Sequence, residues 1–344
     1  MAKLSVIIPC FNGYEYLKQM VDCCKRQSFT DWELIIVDDG SVDGTFAKIK
    51  SYTENDSRIH IYQRNRLPKG SLTCRNIGFE HSSGKYIIHF DADDIFTDNC
   101  FEQRVKFLDE NPECDYATFL AQGFYYNKRN EVKYSSYYGL IDNNRDILER
   151  FLSVSYPFSI WCNIYRREIV EKYPWDEKVK VYSDFSYALP MIFDEIPHLF
   201  AQNKVPDYLY RKFYSKHNMC ASAINQDKCK STNYLFAKTL HALSQREDAE
   251  KRKTQFLHFI VLHFERLVNG RIEKDIDDYI NTIRPYYDAT IIEKLKSIKS
   301  SCLKIPKNSL MRVVLDFELF RKFKYKAYKI QLVHSIGKLI LFRF

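Results

Sequence analysis

The sequence predicts an α/β fold, a mostly parallel sheet covered by helices, with a helical extension toward the C-terminal end. Three observations carry that expectation. Short apolar runs alternate with amphipathic segments over the first 95 residues. Two of the runs end in clusters of aspartate, and from about residue 232 onward the pattern turns helical and lysine-rich. The 344 residues are 45% hydrophobic and 28% charged, the balance of a chain with a sizeable core, which excludes disorder, collagen and coiled coil as descriptions of the whole.

The elements follow in order. Residues 4–8 form a short apolar run read as a strand, and 13–27 place Leu17, Val21 and Cys24 at helical spacing. A second strand over 33–37 leads to a helix over 43–55, with Asp43 as its cap. A third strand over 58–62 and a helix over 70–82 precede a fourth strand over 86–90 and a helix over 98–110. The pattern then changes. Strands are expected over 115–126 and 132–138 around a polar turn at 127–131, and a short helix over 145–152. A strand over 158–165, a helix over 181–193 interrupted by Pro190, and a last strand over 208–213 complete the body. The helices beyond break near Pro285 and Pro306. The expected division is 1–220 and 221–344.

The formal charge of +8 resides in residues 301–344, where ten basic residues meet two acidic ones. Tyr325, Tyr328, Leu332, Ile336 and Leu339 keep helical spacing there, flanked by Lys322, Lys326 and Lys329. Such a basic amphipathic helix can lie on an anionic membrane surface, or it can pack on the body with its lysines in water. Nucleic acid is a weaker partner for it, because no recognition motif accompanies the aromatics. No run reaches the ~20 apolar residues of a membrane span, and no signal peptide is visible. The ten cysteines are scattered, without a C-x-x-C pair, which sets aside zinc ribbons and fits reduced thiols in a cytoplasmic protein.

The chemistry concentrates at strand ends. The second strand ends in Asp38-Asp39-Gly40-Ser41 and the fourth in Asp91-Ala92-Asp93-Asp94. In open parallel sheets the carboxyl ends of the strands line the ligand crevice, so both clusters are expected to face it. Carboxylates held close repel one another unless a cation sits among them, and oxygen-only ligands suit Mg²⁺ or Mn²⁺ rather than zinc. The bland alternative is that these aspartates cap the following helices. Two clusters in register disfavour it. A dinucleotide fold would need G-x-G-x-x-G after the first strand, where this chain has Pro9-Cys10-Phe11-Asn12-Gly13-Tyr14, and a P-loop is absent.

Five motifs in order, Val6-Ile7-Ile8-Pro9-Cys10-Phe11-Asn12, Ile36-Val37-Asp38-Asp39-Gly40-Ser41, Arg75-Asn76-Ile77-Gly78, Gly84-Lys85-Tyr86-Ile87 and Phe90-Asp91-Ala92-Asp93-Asp94, resemble those of glycosyltransferase family 2. The resemblance covers about residues 3–215 and implies a Rossmann-like GT-A fold and an inverting enzyme that uses a nucleotide-diphosphate sugar. It implies that Pro9, Phe11 and Asp39 hold the base, where a ring and a carboxylate that accepts N3–H suit the uracil of UDP. Arg75 and Ala92 would line the nucleotide-sugar site, Asp91 would reach ribose or metal-bound water, and Asp93 would bind Mn²⁺ or Mg²⁺. His217 is a further candidate for the metal. The general base falls on Asp184, preceded by Ser183 where the family usually has Glu. Trp161 to Glu168 and Trp175-Asp176-Glu177 are similar to acceptor-side segments. The implied reaction moves a sugar from a UDP-sugar to a hydroxyl of a glycan or lipid-linked acceptor, as in capsule, O-antigen or lipooligosaccharide synthesis at the inner face of the plasma membrane. The competing expectation is a non-catalytic sugar-binding module on the same fold.

Overall fold

The computed structural model describes residues 2–127, 129–140, 145–213, 225–270, 273–304 and 309–323. The chain divides into two compact units, Met1–Phe151 with Ser155–Ala221, and Leu152–Val154 with Ser222–Phe344.

The first unit is built on a seven-stranded sheet. Its first half alternates strand and helix: β1 (Leu4–Cys10), α1 (Tyr14–Lys25), β2 (Trp32–Asp38), α2 (Thr45–Thr53), β3 (Ile59–Gln63), α3 (Ser71–Glu80) and β4 (Tyr86–His89). β1 and β2 are buried along their whole length, which is why they read as unbroken apolar runs rather than alternating ones. All three neighbouring pairs in this half are parallel. The chain steps from β1 to β2 to β3, then returns to the other side of β1 for β4. That reversal is the switch point at which open parallel sheets bind ligands. Register carries the strand ends to one edge: Cys10 lies beside Asp38, Asp38 beside Gln63, and Ile7 beside His89. Gly78 lets α3 press on β1, since a Cβ there would stand 2.5 Å from Ile7 Cγ2.

The second half departs from the simple alternation. β5 (Ile95–Phe96) is followed by α4 (Cys100–Glu110), and residues 115–126 split into β6 (Tyr116–Thr118) and β7 (Ala121–Tyr126), which belong to different sheets. β8 (Val132–Tyr138), α5 (Ile147–Leu152), β9 (Asn163–Arg166), α6 (Arg167–Lys172), α7 (Ser183–Phe193), β10 (His198–Phe200) and β11 (Tyr208–Arg211) complete the unit. β9 runs antiparallel between β4 and β6, and β10 closes that edge. β5, β11, β7 and β8 form a second, four-stranded sheet. The buried ion pair of Arg104 with Asp207, at 2.7 and 2.8 Å, ties α4 to the entry of β11, and the same guanidinium donates to the carbonyls of Trp161 and Asn163. Trp161 stacks on Tyr208 and Tyr210, with centroids 5.2 Å away from each.

The second unit is helical: α8 (Gln226–Ser244), α9 (Ala249–Gly270), α10 (Glu273–Ile283), α11 (Ala289–Leu303) and α12 (Ser309–Phe323). Asn225 and Asp288 cap α8 and α11 through their side chains. α10 buries Ile276, Tyr279, Ile280 and Ile283 on one stripe, and Tyr279 donates to the Ile260 carbonyl at 2.8 Å. The expected break at Pro285 is a single 3-10 turn, Arg284–Tyr286. Residues 324–344, which hold most of the basic stripe, lie outside the described residues, as does His217.

Candidate active site

The loops that follow β1 and β2 are bound to each other before any ligand is considered. Asn12 N donates to Ser41 Oγ at 2.8 Å and Asn12 Oδ1 accepts from Val42 N at 3.0 Å. Asp43 does not cap α2 with the geometry expected, since Gly44 holds that position. It accepts instead from Thr45 Oγ1 and Gly13 N, and these bonds hold its carboxyl down at about 2. Asp38 is fully buried and closes the turn by accepting from Gly40 N and Ser41 N at 3.0 and 2.9 Å. Gly40, at φ +86°, supplies the left-handed residue that this turn requires.

Asp39 is the member of the pair that is held from outside its own turn. Three donors converge on its Oδ1: Arg64 Nε at 2.6 Å, Gly70 N at 3.1 Å and the Cys74 thiol at 3.8 Å. Pro9 is buried at the end of β1, and Phe11 projects beyond it with half its surface exposed. The Lys69 ammonium stands 3.7 Å from the Phe11 ring centroid. Phe11, Asp39, Arg64, Lys69 and Gly70 thus form one neighbourhood at the mouth of the sheet.

α3 links that neighbourhood to a second one. It begins at Gly70, beside Asp39, and carries Arg75 one turn later. Arg75 is 2% exposed and donates to Asp91 Oδ1 at 2.5 Å and to the Phe90 carbonyl at 3.2 Å. Ala92 and Asp93 follow in the same turn. Asp93 is pushed up to about 6 by burial and by the charge of Asp91. Asp94 is a structural member: it is buried and accepts from Tyr208 Oη at 2.6 Å and Arg211 N at 2.7 Å. Burial, together with Asp93 and Asp91, holds its carboxyl well above the usual range.

Asp184 sits in the first turn of α7, entered through Tyr182 in a left-handed conformation. Burial raises its carboxyl, and the next largest cause is the charge of Asp91. Hydrogen bonds from Ser159 and Ser183 and the Arg75 guanidinium oppose that rise, with Ser183 Oγ at 3.3 Å from Asp184 Oδ1. Asp91, Arg75 and Asp184 therefore act on one another electrostatically. Behind them, Asn76 clips the Trp175 loop to α3 by donating to the Trp175 carbonyl at 2.9 Å and to Glu177 Oε1 at 2.8 Å. The Trp175 ring stacks on Tyr187, centroids 3.8 Å apart, and its Nε1 donates to His89 Nε2 at 3.3 Å. His89 is held neutral by burial, with the Arg75 charge adding to the effect.

Sequence reasoning placed no role on Arg64, Arg211 or Ser159, and named Trp175 only within an acceptor-side segment. Arg64 stands directly beyond β3, at the edge that already held Asp39 and Asp91, so the strand-end logic could have found it. Arg211 donates to the Asp93 carbonyl at 2.6 Å and to Gln19 Oε1 at 2.8 Å, a contact that depends on the unforeseen second sheet.

The donor set fits a hard divalent cation. Asp91 and Asp93 offer oxygen only, and their mutual repulsion is the field that such an ion relieves. Among the described residues no three His, Cys, Asp or Glu side chains gather into a cage. A cation here would draw its remaining oxygens from a diphosphate and water.

The family model described as Glycosyl transferase family 2 matches residues 5–174. Glycosyltransferase GlyA of Streptococcus pneumoniae is 29% identical over 187 residues, 51% of this chain and 26% of that protein. The UDP-Glc:alpha-D-GlcNAc-diphosphoundecaprenol beta-1,3-glucosyltransferase WfgD of Escherichia coli is 31% identical over 108 residues, 31% of this chain and 42% of that protein. The chain spans less than half the length of the curated relatives it matches, 16% and 44% for two others. S. aureus TarS in complex with UDP-GlcNAc shares the fold, with a TM-score of 0.62 at 15% identity, covering 97% of this chain and 89% of that one. Ordered strand-end motifs, the parallel half-sheet that presents them and the family match together identify residues 5–174 as a glycosyltransferase family 2 domain, with a GT-A fold.

Proposed function

We propose that the chain is an inverting glycosyltransferase that moves a sugar from a UDP-sugar to a hydroxyl of a glycan or lipid-linked acceptor in bacterial surface-polysaccharide synthesis. The observation that carries this reading is the mutual influence of Arg75, Asp91 and Asp184 at the carboxyl edge of the sheet. The WfgD name describes a UDP-sugar donor and a diphosphoundecaprenol acceptor, and the TarS complex holds UDP-GlcNAc. Both lend support to the donor and acceptor class.

In this reading Phe11 offers a ring face to the uracil, and Asp39, steadied by Arg64, accepts its N3–H. Pro9 and Ala92 shape the walls. Arg75 holds Asp91 and lends a fixed positive charge beside the diphosphate. Asp91 and Asp93 would hold Mn²⁺ or Mg²⁺, which when bound offsets the charge of the departing UDP. Asp184 takes the proton from the acceptor hydroxyl as its oxygen bonds to the anomeric carbon and the bond from that carbon to UDP breaks. The raised carboxyl makes Asp184 a stronger base than an ordinary aspartate once ionised. His217 remains a candidate for the metal from sequence alone.

The test is UDP release from a panel of UDP-sugars with Mn²⁺, repeated with chelator. Metal-dependent release for at least one sugar is expected. Asp184→Asn should keep UDP affinity within about twofold and lower turnover by about 10²-fold or more. Full activity of that variant would overturn the assignment of the base, and absence of release from every sugar would overturn the transferase.

A further inference from the structure

Three large exposed rings lie together on the β7–β8 hairpin: Tyr134 is 61% exposed, Tyr137 52% and Tyr126 45%. Strict alternation would send Tyr134 and Tyr137 to opposite faces, because they are three residues apart. The ladder prevents this. Gln122 pairs with Tyr137 and Phe124 with Tyr134, so a bulge lies between the two pairs and returns both tyrosines to one face. The pairing of Tyr126 with Val132 puts those two on the same face. β11 extends it, since Leu209 pairs with Gln122 and Arg211 with Phe124. The opposite face holds Tyr138 and Tyr210, which pack on Trp161.

The ledge is continuous with the candidate active site. The Arg211 guanidinium lies 4.9 Å from the Phe124 ring, 5.8 Å from Tyr126 and 5.0 Å from Tyr16. The same guanidinium donates to the Asp93 carbonyl at 2.6 Å. One side chain therefore joins the aromatic face to the turn proposed to hold the diphosphate. Tyrosine rings supply flat apolar faces for the C–H side of a pyranose and hydroxyls for its rim. A second copy of the chain is the less suitable occupant. β8 is an edge strand, and its exposed Lys133, paired with Glu131 at 3.2 Å, opposes strand-to-strand addition.

We propose that this face, with Tyr126, Tyr134 and Tyr137 as its rings, binds the sugar chain of the acceptor and leads its end toward the turn at Asp93. The inference rests on the transferase reading and names where that reaction's acceptor is held. The probes are chitohexaose, cellohexaose and maltohexaose, titrated calorimetrically into the full chain with UDP and Mn²⁺ present. At least one should bind. The Tyr134→Ala, Tyr137→Ala double variant should bind it about tenfold more weakly, about 1.4 kcal/mol. UDP affinity and UDP-sugar hydrolysis should be unchanged in that variant, which also reports that it folds. The Tyr134→Trp, Tyr137→Trp pair should restore binding. Failure of all three hexasaccharides to bind, or equal binding by the alanine pair, overturns the ledge. A dimer seen by sedimentation that the alanine pair abolishes also overturns it, reassigning the face to a second copy. Loss of hydrolysis by the unaltered chain is a separate result, and it sinks the transferase reading instead.

Discussion

Asp38 and Asp39 are neighbours in sequence with different surroundings. Asp38 closes its own turn, whereas Asp39 receives Arg64 and Gly70 from the segment between β3 and α3. Adjacent residues at a strand end point to opposite sides, so the two carboxylates take different partners, and Asp39 is the one proposed to meet a ligand. Ser159 is a second case. Its hydrogen bond lowers the Asp184 carboxyl against the rise caused by burial and by Asp91. In the proposed role Asp184 must be ionised to accept a proton, so activity is expected to fall as pH drops through its raised pKa. The acid limb of kcat against pH is expected above the ordinary aspartate range. Ser159→Ala removes a stabilising bond to the ionised form and should move that limb further up; a limb that moves down, or stays in place, contradicts the assignment. At this scale the sequence made the strand-end acids legible, because the apolar runs before them are unambiguous. Ser159 and Arg211 were not legible, because their contacts span 25 and 118 positions and no local pattern reports such pairs.

The parallel half of the sheet was legible element by element, since buried strands and amphipathic helices leave different periods. Residues 115–126 were not. They read as one strand, yet Phe119 and Leu120 carry the chain from one sheet to the other, and both segments are apolar enough to hide the corner. Two predictions belong here. Gly78→Ala would bring a methyl within 2.5 Å of Ile7 Cγ2 and force α3 from β1, so thermal unfolding should report a loss of about 1–3 kcal/mol. On α9, His263 is buried between Phe236 and Tyr279 and held down at about 3 by burial, with Arg266 adding to it. Its ordinary value is 6.5, so between pH 6.5 and 3 the unfolded chain takes up a proton that the folded one refuses. Stability of the helical unit should fall as pH drops through that window, by at most about 1.4 kcal/mol per pH unit. His263→Phe should flatten the fall in an acid-unfolding titration, and an unchanged slope would count against the burial argument.

Across the whole molecule, charge and chemistry occupy opposite ends of the chain. Lys324, Lys326, Lys329, Lys338 and Arg343 lie beyond α12 with no acidic residue among them. No helix among the described residues is long and apolar enough to cross a membrane. We propose that this terminal stretch holds the enzyme to an anionic bilayer where a lipid-linked acceptor would be found. Truncation after Phe323 keeps α12, whose Leu315 and Leu319 are buried, and should abolish sedimentation with phosphatidylglycerol vesicles at low salt while leaving UDP affinity intact. Binding that persists after truncation would refute the role. The reciprocal bonds between the first two loops carry a different consequence. Asn12, Ser41, Asp43 and Gly13 already hold these two loops together, so if the proposed nucleotide site lies beside them, little ordering entropy is lost on binding. Inhibitor fragments can be matched there to a fixed shape, and rigid heterocycles should outperform flexible ones of equal size.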